Sequence, residues 1–158
     1  MLATVLANCN LTHQKRNNME NNKGQSNNAN PVVDTTPKVT GIGGIFFFSD
    51  NPQKTKDWYQ QNLGLKLDDY GSTFESRNID KPDEINQLVW SPFKSGSDYF
   101  KPSQKDFMIN YRVQHIEELV NKLRENGVTI LDTMTTYDFG KFIHILDPEG
   151  NKIELWEP

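Results

Sequence analysis

Phe142-Ile143-His144-Ile145-Leu146, then Asp147-Pro148-Glu149-Gly150-Asn151, then Lys152-Ile153-Glu154-Leu155-Trp156: these three runs decide the fold. Two short strand-forming segments flank an Asp-Pro-Glu-Gly turn, the pattern of a β-hairpin. Pro148 presets φ for the turn, and Gly150 takes a positive φ at little cost. Side chains on a strand alternate between faces with period two. Ile143, Ile145, Ile153 and Leu155 therefore share one face, which is aliphatic and suited to lie under a helix. Phe142, His144, Leu146, Lys152, Glu154 and Trp156 share the other, the mixture of aromatic, imidazole and charged groups found on pocket walls. With the turn centred on Glu149, His144 faces Glu154 across the hairpin, their Cβ atoms roughly 5 Å apart.

The 158 residues suffice for one domain of ordinary size. Net charge is −4 and no Lys/Arg cluster forms a stripe, so the electrostatic footprint of a nucleic-acid partner is missing. No apolar run approaches the ~18 residues of a membrane span. The single cysteine, Cys9, excludes an intramolecular disulfide and a Cys-based zinc site.

Residues 1–37 read as a disordered arm, polar and rich in Asn beyond position 10. Met1-Leu2-Ala3-Thr4-Val5-Leu6-Ala7-Asn8-Cys9 resembles the end of a bacterial lipoprotein signal, with a lipidated Cys9 and a polar tether after it. On that reading the protein is anchored to a membrane. On the other it is cytoplasmic, and translation starts at Met1, at Met19 or further upstream.

The folded part is expected over 38–158. Val39 to Phe48 reads as a strand, apolar on both faces at Ile45-Phe46-Phe47-Phe48 and hence covered on both sides. Gly43 and Gly44 leave room there for a close approach. Asn51-Pro52 opens a helix as N-cap and first residue. Trp58, Tyr59 and Leu63 are its expected buried side, and Gly64 ends it. Strands follow at 65–67, 70–77 and 85–90. The stretch 91–105 is a connector whose Tyr99-Phe100 either packs over the domain edge or forms a flap. A strand at 106–113 comes next. Ile116, Leu119, Val120 and Leu123 then mark an amphipathic helix ended by Gly127. A strand at 128–131 leads to the closing hairpin.

The two halves, 38–91 and 106–158, repeat. Asn62-Leu63-Gly64-Leu65 parallels Glu125-Asn126-Gly127-Val128, Tyr70 parallels Tyr137, and Leu88-Val89-Trp90 parallels Glu154-Leu155-Trp156. A βαβββ unit used twice predicts an α+β fold. The two copies make a curved eight-stranded mixed sheet with helices outside and a cleft inside. The paired modules resemble the vicinal oxygen chelate superfamily of glyoxalases, bleomycin-resistance proteins and extradiol dioxygenases. The resemblance rests on Val39-Thr40-Gly41-Ile42 running into Asp50-Asn51-Pro52 and Trp58-Tyr59, and on the Asp147-Pro148-Glu149-Gly150 to Ile153-Glu154-Leu155 ending.

Members that use a metal hold it on the inner ends of four strands, typically with His and Glu, which suit an octahedral divalent ion. Carried onto this chain, the first-strand ligand falls on Gly44 or Gly43. The fourth-strand acid falls on Gln87 or Leu88, and the fifth-strand ligand on Met108, whose thioether is too soft for such an ion. Only Glu154 remains, with His144 as a second donor. The resemblance therefore implies a degenerate site and no metal cofactor; an ion, if one binds, would rest on Glu154 and His144. His144 also stands where extradiol dioxygenases carry an acid–base Tyr, and a facing carboxylate would orient it as a general base.

The cleft is expected to be lined by Phe46, Phe48, Gln87, Met108, Arg112, Phe142 and Trp156 around His144 and Glu154. Arg112 is suited to a ligand carboxylate or phosphate. The reading is of a small-molecule binding protein or a metal-independent enzyme. The alternatives are a metal-dependent lyase or isomerase of glyoxalase type, and a ligand-sequestering homodimer of resistance type.

Overall fold

The computed structural model describes residues 34–158. The lipoprotein reading of Met1–Cys9, and the arm up to residue 33, lie outside the described residues. Asp34 to Pro37 runs beside the sheet, where the Gln114 amide donates to the carbonyls of Asp34 and Thr36 at 3.1 and 2.8 Å.

The elements in chain order are β1 (Lys38–Ser49), α1 (Pro52–Leu63), β2 (Ser72–Arg77), β3 (Ile85–Lys94), a 3-10 turn (Asp98–Phe100), β4 (Phe107–Gln114), α2 (Ile116–Glu125), β5 (Thr135–Tyr137), β6 (Gly140–Leu146) and β7 (Lys152–Glu157). They form one mixed α+β sheet in the order β2-β3-β1-β4-β7-β6-β5. β1 runs parallel to β3, and β4 parallel to β7. β1 and β4 meet antiparallel at the centre, so each half of the repeat supplies one half of the sheet.

Among the described residues seven strands stand where eight were expected. Residues 65–67 form none, because the Asp68 corner takes over the chain. Asp68 Oδ1 accepts from the amides of Tyr70 and Gly71, and the Ser72 hydroxyl takes the Lys66 carbonyl that a ladder would need. Residues 128–131 keep a single bridge, Ile130 to Ile145. The stretch before β6 instead supplies the short edge strand β5.

The core lies under the second half. Val113, Ile116, Val120, Ile143, Ile145 and Leu155 are buried together, with Leu119, Leu123 and Ile153 packed against them. This is the aliphatic hairpin face closed by α2, as period two and period 3.6 require. Glu117 and Glu118 in the first turn of α2, and Lys122 and Arg124 in the last, complement its dipole.

Helix α1 starts and stops as expected. Asn51 Oδ1 accepts from the Lys54 amide at 3.0 Å, and Gly64 ends the helix in the left-handed conformation. Its inner side is weaker than expected: none of its residues is buried, and Trp58 and Leu63 are more than half exposed. Tyr59 alone reaches an aromatic partner on the sheet, its ring centroid 4.6 Å from that of Trp90.

Candidate functional site

The hairpin register places His144 opposite Glu154, and the parallel pairing of β4 with β7 places Asn110 beside Glu154. Glu154 is 3 % exposed. Asn110 Nδ2 donates to Glu154 Oε1 at 2.7 Å, His144 Nε2 stands 3.0 Å from Oε2, and the Tyr99 hydroxyl donates to the same Oε2. Burial alone would raise the Glu154 pKa. The hydrogen bonds from His144, Tyr99 and Asn110 outweigh it and hold the carboxyl below its usual range. Burial, together with the negative Glu154, pushes the Tyr99 phenol far up, so it serves as a donor.

His144 is held from its other side by Asp132. Asp132 Oδ1 accepts from the His144 amide at 2.9 Å, and Oδ2 lies 2.5 Å from Nδ1. The single bridge at Ile130 brings Asp132 there, since the Leu131 amide donates to the His144 carbonyl at 2.8 Å. Asp132, His144 and Glu154 thus form a chain with an imidazole between two carboxylates. Both ring nitrogens meet a carboxylate oxygen.

Tyr99 comes from the connector and reaches Glu154 on the hairpin, while Phe100 packs against the sheet. Phe100 is buried and stacks on Phe48 with centroids 4.3 Å apart. Tyr99 stacks on Phe93 at 5.2 Å and meets the edge of His144 at 5.7 Å. Lys152, on the same sheet face as Glu154, donates to the Tyr99 carbonyl at 2.6 Å, with Nζ 5.0 Å from the ring centroid. Burial lowers the pKa of this lysine.

Beneath Tyr99 opens a cavity of about 310 Å³, floored by Asp132, His144 and Glu154 and walled by Tyr137, Phe139 and Phe142. Tyr137 and Phe139 stack at 5.2 Å, and each meets Phe142 edge-on. Of the expected lining residues, His144, Glu154 and Phe142 come together here.

The others lie elsewhere. Met108 is fully buried, and it is Asn110, two residues further along β4, that is level with Glu154. Phe46 and Phe48 are covered by the aromatic rings of the connector and β3. Gln87, Arg112 and Trp156 line a neighbouring cavity. Asp132, Thr135, Tyr137 and Phe139 were missed. The only sequence signal for them was Tyr137, which the internal repeat marked as a corner.

The close approach expected at the glycines of β1 is made by the protein itself. A Cβ on Gly43 would lie 2.2 Å from Asn110 Oδ1 and 2.7 Å from the Trp156 ring, and one on Gly44 would lie 2.7 Å from the Phe46 ring. Among the described residues the buried Asn110 Oδ1 has no hydrogen-bond partner. Among the described residues no group of three or more His, Cys, Asp or Glu side chains is arranged to hold a metal ion, and no helix is long and apolar enough to cross a membrane.

Comparison with known proteins agrees with this architecture. The profile of the Glyoxalase/Bleomycin resistance protein/Dioxygenase superfamily matches residues 41–155, and the chain belongs to that superfamily. No curated protein matches the sequence. Among solved structures, a methylmalonyl-CoA epimerase from Streptomyces coelicolor in complex with 2-nitronate-propionyl-CoA aligns with a TM-score of 0.57 at 12% identity, covering 76% of this chain and 98% of that one. The methylmalonyl-CoA epimerase of Mycobacterium tuberculosis aligns at 0.48 and 20% identity, over 76% and 89% of the two chains. A glyoxalase/bleomycin resistance protein/dioxygenase superfamily member from Vibrio splendidus 12B01 aligns at 0.49 and 11% identity, over 78% and 100%. At 12% identity the likeness to the Streptomyces coelicolor epimerase is one of fold alone.

Proposed function

We propose that the chain binds a small, flat molecule in the cavity beneath Tyr99, and that any chemistry there proceeds without a divalent metal. One observation carries this reading. Glu154, the sole acid at the family's ligand positions, has both oxygens engaged by Asn110, Tyr99 and His144 at the floor of an aromatic-walled cavity. The residues do not fit an octahedral ion. β1 offers Gly43 and Gly44, whose side-chain space is filled by Asn110, Trp156 and Phe46, and β4 offers an amide that already donates to Glu154.

The wall suits a ring, through the exposed faces of Tyr137, Phe139 and Phe142. At the floor the Asp132 carboxylate is 43 % exposed, so it suits a ligand bearing an N–H or O–H donor. A metal-independent acid–base reaction is the second reading. It is favoured by the Asp132–His144–Glu154 chain, along which an imidazole can pass a proton between carboxylates.

The test has two arms. Ni²⁺, Mn²⁺ and Zn²⁺ are titrated into tag-free protein by calorimetry, and single-ring amines, phenols and amides are screened by thermal shift. No stoichiometric metal uptake is expected at micromolar concentration, and hits should lose their stabilising effect in Phe142→Ala. Stoichiometric metal binding that disappears in Glu154→Gln would overturn the metal-free reading. Hits indifferent to Phe142→Ala would overturn the choice of cavity.

A further inference from the structure

Arg112 projects from β4 on the same sheet face as Asn110, level with Gly41 of β1 and Trp156 of β7. It is 9 % exposed. A guanidinium has five N–H donors and no acceptor. Among the described residues this one makes a single hydrogen bond, from Nη1 to the Gln87 carbonyl at 3.4 Å, beyond the ordinary range. None of the described carboxylates lies within ion-pairing distance of it. Glu84 faces Lys81 at 3.0 Å instead. A buried cation left this far from a partner is costly, and an anion that supplied two parallel acceptors would offset that cost.

There is room for such an anion. Arg112 faces a cavity of about 250 Å³, whose walls include Ile85, Phe139 and Trp156 and whose polar groups include Gln87 and Asp138. The volume is below the ~300–1,000 Å³ of typical drug-sized sites, which points to one ring or a short chain. The apolar walls ask for an apolar body. The Asp138 carboxylate on the lining disfavours a dianion, so a carboxylate fits better than a phosphate monoester. Gln87 is already turned to Glu75, its Nε2 donating at 3.2 Å, which leaves the guanidinium as the principal recognition group.

We propose that this cavity is a second binding site, in which Arg112 takes the carboxylate of a small apolar monocarboxylic acid while Trp156, Phe139 and Ile85 hold its body. The site is distinct from the His144–Glu154 cavity, with which it shares the Phe139 wall, and it does not depend on the function proposed for that cavity.

Gly41 supplies a clean perturbation. A Cβ there would lie 2.5 Å from Arg112 Nη2, so Gly41→Ala displaces the guanidinium and keeps its charge. The experiment titrates sodium benzoate into the full chain at constant ionic strength, following the tryptophan indole N–H signals by NMR. Benzamide and inorganic phosphate are the comparison ligands. Benzoate is expected to shift the Trp156 indole saturably below about 10 mM, and benzamide and phosphate are not. Arg112→Gln and Gly41→Ala should each weaken benzoate roughly tenfold or more, the scale of losing hydrogen bonds to a charged group.

Absence of saturation would overturn the proposal. So would equal binding of benzamide, or benzoate shifts at His144 with Trp156 unmoved. If Arg112→Gln fails to fold, Gly41→Ala decides, because it presses only on the end of a flexible side chain.

Discussion

Glu154 shows how one side chain can be held in a form that its surroundings oppose. Burial favours the neutral acid, yet three donors converge on the carboxylate and keep it ionised to lower pH than usual. The sign of the pH effect follows. The unfolded chain takes up this proton in the ordinary glutamate range, and the native state resists until lower pH. Stability from Glu154 is therefore complete above the ordinary range and is lost as pH falls through the depressed native value. Asp34, Asp147 and Glu117 are depressed too, so the wild-type curve is a sum. The difference from Glu154→Gln isolates the one buried member. Urea unfolding measured from about pH 6 down to about pH 3 should show a steeper loss in the wild type than in the variant. Equal slopes would mean that the three donors do not favour the ionised form.

At the scale of the element, two glycines with positive φ separate a conformational requirement from a spatial one. Gly64 ends α1 at φ 69, and a Cβ added there would meet nothing within 4 Å. Gly140 opens β6 at φ 123, where a Cβ would lie 2.2 Å from the Glu157 carbonyl oxygen and 2.6 Å from Trp156 Nε1. Gly64→Ala should cost about 1 kcal/mol, the backbone term alone. Gly140→Ala adds a clash with β7 and should cost about 3 kcal/mol or more, through strain and the displaced Trp156. Denaturant midpoints of the two variants check the order, and similar losses would show that the β6–β7 corner yields easily.

Across the whole molecule, burial is uneven. The second half buries Ile143 beneath α2 and Val120 on the inner face of α2, while none of the residues of α1 in the first half is buried. Ile143→Ala should cost about 2–5 kcal/mol. Leu63→Ala, at a position 59 % exposed, should stay within about 0.5 kcal/mol. Chemical denaturation of both variants measures the asymmetry. A large loss at Leu63 would mean that α1 is covered in solution by something the single chain does not provide.

The local devices were legible in the sequence because each is a short-range property. The Asn51 cap, the Gly64 stop, the i, i+3, i+4, i+7 face of α2, and the two faces of the hairpin with His144 opposite Glu154 all follow from backbone period and turn chemistry. The duplicated unit carried the α+β architecture with it. Tertiary structure decided the rest. The loss of a strand at 65–67 came from side chains of the Asp68 corner and Ser72 taking ladder positions. Asp132 reached His144 through one backbone bridge, and Tyr99 reached Glu154 across 55 residues of chain. The level of Asn110, rather than Met108, beside Glu154 was set by the parallel register of β4 with β7. Such contacts depend on register and loop path between distant segments, and a one-dimensional pattern carries the face of a residue but not its height along the sheet.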